Sequence, residues 1–140
     1  MGTQIHTDII KIHTDKKAQV YKHQELTGQI LNCAFEVQNN IGSGFLEKVY
    51  QKALTYELQK KGLKVEIQKP IKIVYKDQNI GTYIADLIVE DRVIVELKTV
   101  EFLTRIHTAQ TLNYLKASGY DVGLILNFFR PKLEFKRVVV

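Results

Sequence analysis

Three ionisable residues stand inside two otherwise apolar segments: Asp86 within residues 83–89, and Glu96 and Lys98 within residues 93–98. A charged side chain in the middle of an apolar strand costs free energy unless a partner compensates it. An acid-x-Lys triplet alone carries little information, because the chain has three: Asp15-Lys17, Glu96-Lys98 and Glu134-Lys136. Only the middle one has apolar flanks on both sides and a second acid on the segment before it. Side chains alternate along a strand, so Glu96 and Lys98 share a face. Register decides whether Asp86 joins them. A two-residue turn at Glu90-Asp91 opposes Asp86 to Val95 and throws the two acids to opposite faces. A three-residue loop, Glu90-Asp91-Arg92, opposes Val89 to Val93 and Asp86 to Glu96. It also makes Ala85, Leu87, Val89, Val93, Val95 and Leu97 one uninterrupted apolar face, so this register is expected.

Two carboxylates facing each other across a ladder, about 5 Å apart at Cβ, repel. A divalent cation resolves that repulsion, and an all-oxygen donor set suits Mg²⁺ or Mn²⁺. Such an ion lowers the pKa of a bound water and neutralises charge developing on a phosphoryl group. Lys98 beside it can orient the nucleophile and stabilise the same charge. The competing reading is an ion pair of Lys98 with Glu96 or Asp86 on a solvated sheet face.

Several elements must position these groups. Leu26, Ile30, Ala34, Val37 and Ile41 recur at helical spacing and stop at Gly42. A second helical pattern runs through Leu46, Tyr50, Ala53, Leu54 and Leu58 to Gly62. Strand-like stretches follow at Lys64 to Gln68, Ile71 to Lys76, Ile80 to Val89 and Val93 to Val100, with Asp77-Gln78-Asn79 supplying a turn. Arg105 to Ser118 reads as a helix closed by Gly119. Asp121 to Phe128 is a continuous apolar run, the mark of a strand covered on both faces. Leu133 to Val139 reads as a last strand. Short turns pair the earlier strands antiparallel. The strand, helix and strand from 93 to 128 make a parallel crossover. The expected fold class is therefore α/β (α+β), a mixed β-sheet flanked by helices.

The helices carry further candidates. Glu47 follows Gly44 by three, which fits an N3 acid with Gly44 at N-cap, or a third carboxylate directed at the metal. Tyr50, one turn on, reads as a core aromatic or a substrate contact. His107, Gln110 and Tyr114 share a stripe of the later helix, whose apolar contacts are expected from Ile106, Ala109, Leu112 and Leu115. His107 can be a general base or a solvated histidine.

Taken together these residues resemble a known family. Gly44-Phe45-Leu46-Glu47-Lys48-Val49-Tyr50 resembles the signature of the GxxExxY proteins, a branch of the PD-(D/E)XK nuclease-like superfamily. Asp86 followed by Glu96-Leu97-Lys98 resembles the superfamily's metal-binding core. His107, Gln110, Tyr114 and Leu115 resemble its helical glutamine-tyrosine motif. The likeness covers about residues 25–130 with the motifs in order. It implies a restriction-endonuclease-like fold, metal ligation by Asp86, Glu96 and Glu47, a catalytic Lys98 and an orienting Gln110. One position departs: Ile84 stands where the family usually carries arginine, which removes a charge beside the acid.

Composition bounds the rest. The 140 residues, 45% hydrophobic and 25% charged, describe a globular domain. Residues 1–23, with Ile-His-Thr-Asp at 5–8 and again at 12–15, read as an N-terminal arm, and 24–140 as a single domain. One cysteine, Cys33, cannot form an internal disulfide, no apolar run approaches the roughly 20 residues of a membrane span, and no signal pattern opens the chain. A cytoplasmic protein with no membrane partner is expected. The net charge of +5 suits a phosphate-bearing partner. No Gly-rich phosphate loop is present, which disfavours nucleotide hydrolysis of the P-loop kind. The expected function is Mg²⁺-dependent (or Mn²⁺-dependent) hydrolysis of phosphodiester bonds, in DNA before RNA. The alternative is a catalytically silent nucleic-acid-binding or scaffold module of the same fold. A homodimer is expected only by analogy with related folds.

Overall fold

The structure, a computed structural model, describes residues 22–140; the arm and its two His-Thr-Asp triplets lie almost wholly outside them. The element order is α1 (Gln24–Ile41), α2 (Glu47–Lys60), β1 (Val65–Tyr75), β2 (Gln78–Val89), β3 (Val93–Lys98), α3 (Arg105–Ser118), β4 (Val122–Asn127) and β5 (Glu134–Val139). The five strands form one sheet in the order β1-β2-β3-β4-β5. All neighbours are antiparallel except β3 and β4, which α3 connects in parallel. The mixed sheet flanked by helices is the fold class expected above. No described helix is long and apolar enough to cross a membrane.

Two apolar layers hold the sheet between helices. On one face Leu87, Val89, Val93, Val95, Leu97, Leu124 and Leu126 meet the stripe Leu26, Ile30, Ala34 and Val37 of α1, and Tyr50, Leu54 and Leu58 of α2. On the other, Tyr83, Ala85, Ile88, Ile94 and Ile125 pack with Leu115 of α3. All six residues of β4 are buried, as its unbroken apolar run requires. Helix ends fall where glycine allows them: Gly42 and Gly119 cap α1 and α3 with positive φ.

Four local expectations need correction. The strands read separately at 64–68 and 71–76 are one strand, β1, which carries Pro70 without a break. The hairpin between β1 and β2 turns at Lys76 and Asp77, both left-handed, rather than at Asp77-Gln78-Asn79. Tyr75 then faces Gln78, and two residues suffice to reverse the chain. Ala85 does not share a face with Leu87; it belongs to the α3 layer. The β1–β2 ladder skips the Gln68–Asp86 position, where Gln68 has φ 52°, and side-chain alternation is broken across that irregularity. On α3 the buried residues are Thr111 and Leu115, whereas Ile106 is 77% exposed and Ala109 is exposed.

Candidate active site

The loop after β2 has the length that the acids require. Val89 faces Val93 across Glu90-Asp91-Arg92, and the ladder continues through Ile88–Ile94 to Leu87–Val95. Beyond that pair the backbone ladder stops and side chains continue it. Asp86 Oδ2 accepts the Leu97 N–H at 2.8 Å, between Glu96 and Lys98 on β3. The Glu96 carboxyl in turn receives the Asp86 N–H, which favours its charged form. Each acid therefore satisfies a backbone donor of the opposite strand where β2 and β3 part.

Burial dominates the electrostatics here. Glu96 is 6% exposed, and desolvation pushes its carboxyl up to about 7 against the opposing effects of Lys98 and the Asp86 N–H. Asp86 is raised as well, by desolvation first; the Leu97 N–H, Lys98 and the Gln68 side chain oppose the rise and Glu47 adds to it. Lys98, half-buried at the end of β3, acts on both acids. Glu96 Oε1 is buried without a hydrogen-bond partner. A desolvated carboxylate oxygen beside a second acid fits a hard divalent cation, so the donor set is compatible with the metal expected above.

The other candidates lie at graded distances from this point. Glu47 is near enough for its charge to raise Asp86. However, among the described residues no three His, Cys, Asp or Glu side chains gather closely enough to hold one ion. Glu47 is also the first residue of α2 behind Leu46 at N-cap, not an N3 acid behind Gly44. The helix starts late because Tyr50 clasps the preceding loop. Its ring is fully buried and stacks on Phe128 at 4.5 Å, while its hydroxyl donates to Gly42 O at 2.8 Å and accepts from Phe45 N. That is the core-aromatic reading of Tyr50. Replacing Tyr50 by Phe is expected to lower stability by about 1 kcal/mol, read as a shift of the urea midpoint at unchanged slope.

His107 also has a local task. Its Nδ1 accepts the Thr104 N–H at 2.9 Å, completing a capping box at the start of α3. Tyr114 stacks on Tyr83 with ring centroids 3.5 Å apart and ties α3 to β2. Gln110 is exposed, and its side chain makes no hydrogen bond among the described residues. The structure thus gathers Asp86, Glu96 and Lys98, with Glu47 at the margin, and gives Tyr50, His107 and Tyr114 contacts of their own.

Sequence reasoning missed two amides that build the site. Gln68, left-handed within β1, bonds Gln51 of α2 at 2.9 Å and also hydrogen-bonds Asp86. Asn127, fully buried at the end of β4, is saturated: it donates to Val100 O and Glu134 Oε1 and accepts from Val100 N and Phe129 N. A polar residue closing an apolar run was the available signal for Asn127. For Gln68 it was the interruption that had split β1 in two.

A five-stranded mixed sheet with helices on both faces describes a nuclease-like fold, and two acids with a lysine lie where two of its central strands part. A family model of the PD-(D/E)XK nuclease superfamily matches residues 24–138. The chain belongs to that superfamily. Among solved structures it is similar to one titled "Crystal structure of SSO0001", at 17% identity and a TM-score of 0.50, covering 86% of this chain. The chain spans 61% of that structure's length, and the likeness is one of fold. No curated protein matches it.

Proposed function

We propose that this domain is a Mg²⁺-dependent (or Mn²⁺-dependent) nuclease that hydrolyses phosphodiester bonds of DNA, of the GxxExxY branch, working in the cytoplasm. Membership of the nuclease superfamily supports the reaction class. The observation that carries the reading is the buried, unpartnered Oε1 of Glu96, an acid whose charge Lys98 and the Asp86 backbone both favour. Asp86 and Glu96 would hold the cation, and Glu47 adds negative charge from α2. When bound, the ion supplies a water of lowered pKa and neutralises charge on the phosphoryl oxygens. Lys98 donates hydrogen bonds to the attacking water and the phosphoryl oxygens as the P–O bond to the leaving group breaks. Leu97 N–H fixes the Asp86 carboxylate against β3. Gln110, exposed on α3, is free to contact substrate. Homodimerisation stays an expectation by analogy.

The test combines calorimetry with cleavage. Mn²⁺ should bind the wild type and fail to bind Asp86→Ala or Glu96→Ala. Supercoiled plasmid should be nicked in Mg²⁺, with linear, branched and single-stranded DNA compared in the same assay. DNA binding without cutting, unchanged by Asp86→Ala, would instead favour the non-catalytic module.

A further inference from the structure

The crevice beyond the carboxyl ends of two adjacent parallel strands is a common place for ligands in open sheets. Here those strands are β3, ending at Lys98, and β4, ending at Asn127. Two loops leave them, 99–104 and 128–133, and they are laced together. Phe128 N donates to Lys98 O at 2.9 Å, and Asn127 holds Val100 through both its backbone groups. Glu134 Oε1 accepts Leu103 N–H at 3.0 Å. Gln38 of α1 donates to Phe128 O at 3.2 Å and to Arg130 O. The frame is stiff, and it stands directly beyond Lys98.

One cation is mounted on it. The Arg130 guanidinium lies 3.8 Å from the ring centroid of Phe102, and its Nε donates to Glu101 O at 3.2 Å. Among the described residues no carboxylate pairs with it, and the nearby Glu134 is turned onto Leu103 and Asn127. The ring and the carbonyl anchor the guanidinium on the loop while its terminal nitrogens make no hydrogen bond among the described residues. A planar fork stacked on an aromatic face and already anchored loses little freedom on meeting a phosphate. Phe102 is 52% exposed, so the stacked pair is open to solvent on the crevice rim.

From this arrangement we infer that Arg130, mounted on Phe102, is a phosphate-binding residue that holds the DNA strand next to the Lys98 site. The inference rests on the nuclease reading for its ligand, but not on catalysis. Arg130 touches a non-reacting phosphate, so its loss should act on binding and KM while leaving kcat nearly unchanged.

The experiment measures binding of a fluorescent single-stranded DNA by anisotropy in EDTA, across a salt series, and cleavage separately in Mg²⁺. For Arg130→Gln the slope of log K against log salt should fall in magnitude by about 0.7, the contribution of one phosphate. Affinity should fall at low salt, and KM should rise at near-constant kcat. Phe102→Ala should produce part of the same loss. Lys116→Gln, on the last turn of α3, serves as a control for charge alone. Equal slopes for Arg130→Gln and wild type, equal losses for Arg130→Gln and Lys116→Gln, or no DNA binding by the wild type would each overturn the assignment. An Arg130-dependent slope in a protein that cleaves nothing would retain it and reject the nuclease reading.

Discussion

Without metal, the domain should lose stability as pH rises from about 4.5 to 7, and Glu96→Gln should abolish most of that loss. Glu96 titrates near 7 when folded and near its ordinary value when unfolded. Between those limits the native state binds more protons than the unfolded state, so unfolding free energy decreases with pH. A carboxyl raised in the fold stabilises least when it is ionised. The span corresponds to a loss on the order of 3 kcal/mol, or about 10 °C in melting temperature for a domain of this size. Asp86, raised in the same direction, adds to the slope. Glutamine keeps the shape and removes the charge, so the variant should match wild type near pH 5 and exceed it at pH 8. Mn²⁺ should restore the wild type at pH 8 and leave the variant unmoved, because a ligand binding only the native state stabilises it. Melting curves at pH 5 and 8, with EDTA or Mn²⁺, give all four comparisons. A wild type equally stable at both pH values in EDTA would remove the premise that Glu96 is strained by burial.

The register that places the acids was readable because a one-residue slip between β2 and β3 would have set Glu96 on the apolar face of Leu87 and Val89. That error is so unfavourable that local pattern alone excludes it. Helix ends were readable for a similar reason: Gly42 and Gly119 occupy left-handed or unusual backbone that other residues resist. What escaped depends on contacts between distant segments. The late start of α2 is set by Tyr50 reaching back to Gly42, a bond that spacing does not reveal. The face of Ala85 follows from the distortion at Gln68, seventeen residues away in sequence but across the ladder in space. Asn127 was read as part of the apolar run to Phe128, and its role emerges only where Val100 and Glu134 meet it. Ile106 matched an apolar stripe, yet α3 settles on Thr111 and Leu115; Thr111 lies against Gly123 of β4, where a Cβ would approach its methyl to 3.0 Å. Such close docking is chosen by the sheet, not by the helix's own periodicity.

Lys98→Met should remove DNA cleavage while sparing both the fold and Mn²⁺ binding. Lys98 is the last residue of β3, and its backbone is fixed by Phe128 N–H whatever side chain it carries. Methionine keeps the unbranched stem that packs at the strand end and deletes only the ammonium. If that group stabilises charge on the phosphoryl oxygens, kcat should fall by about 10²–10³, the usual consequence of losing one such donor. KM should change little, because the interaction develops in the transition state. The metal should persist, since its carboxylates remain and a repelling cation has left. One side effect follows from the electrostatics. Lys98 lowers both acids, so its removal should push the Glu96 carboxyl further above about 7 and move the onset of Mn²⁺ binding to higher pH. Arginine at 98 keeps the charge but replaces a compact ammonium by a broad fork, and should restore the acids' titration without restoring the rate. The pair of variants therefore separates two duties of one side chain. If Lys98→Met cut plasmid at the wild-type rate, Lys98 would be only a counter-ion for two buried acids, and the site would have to be sought elsewhere.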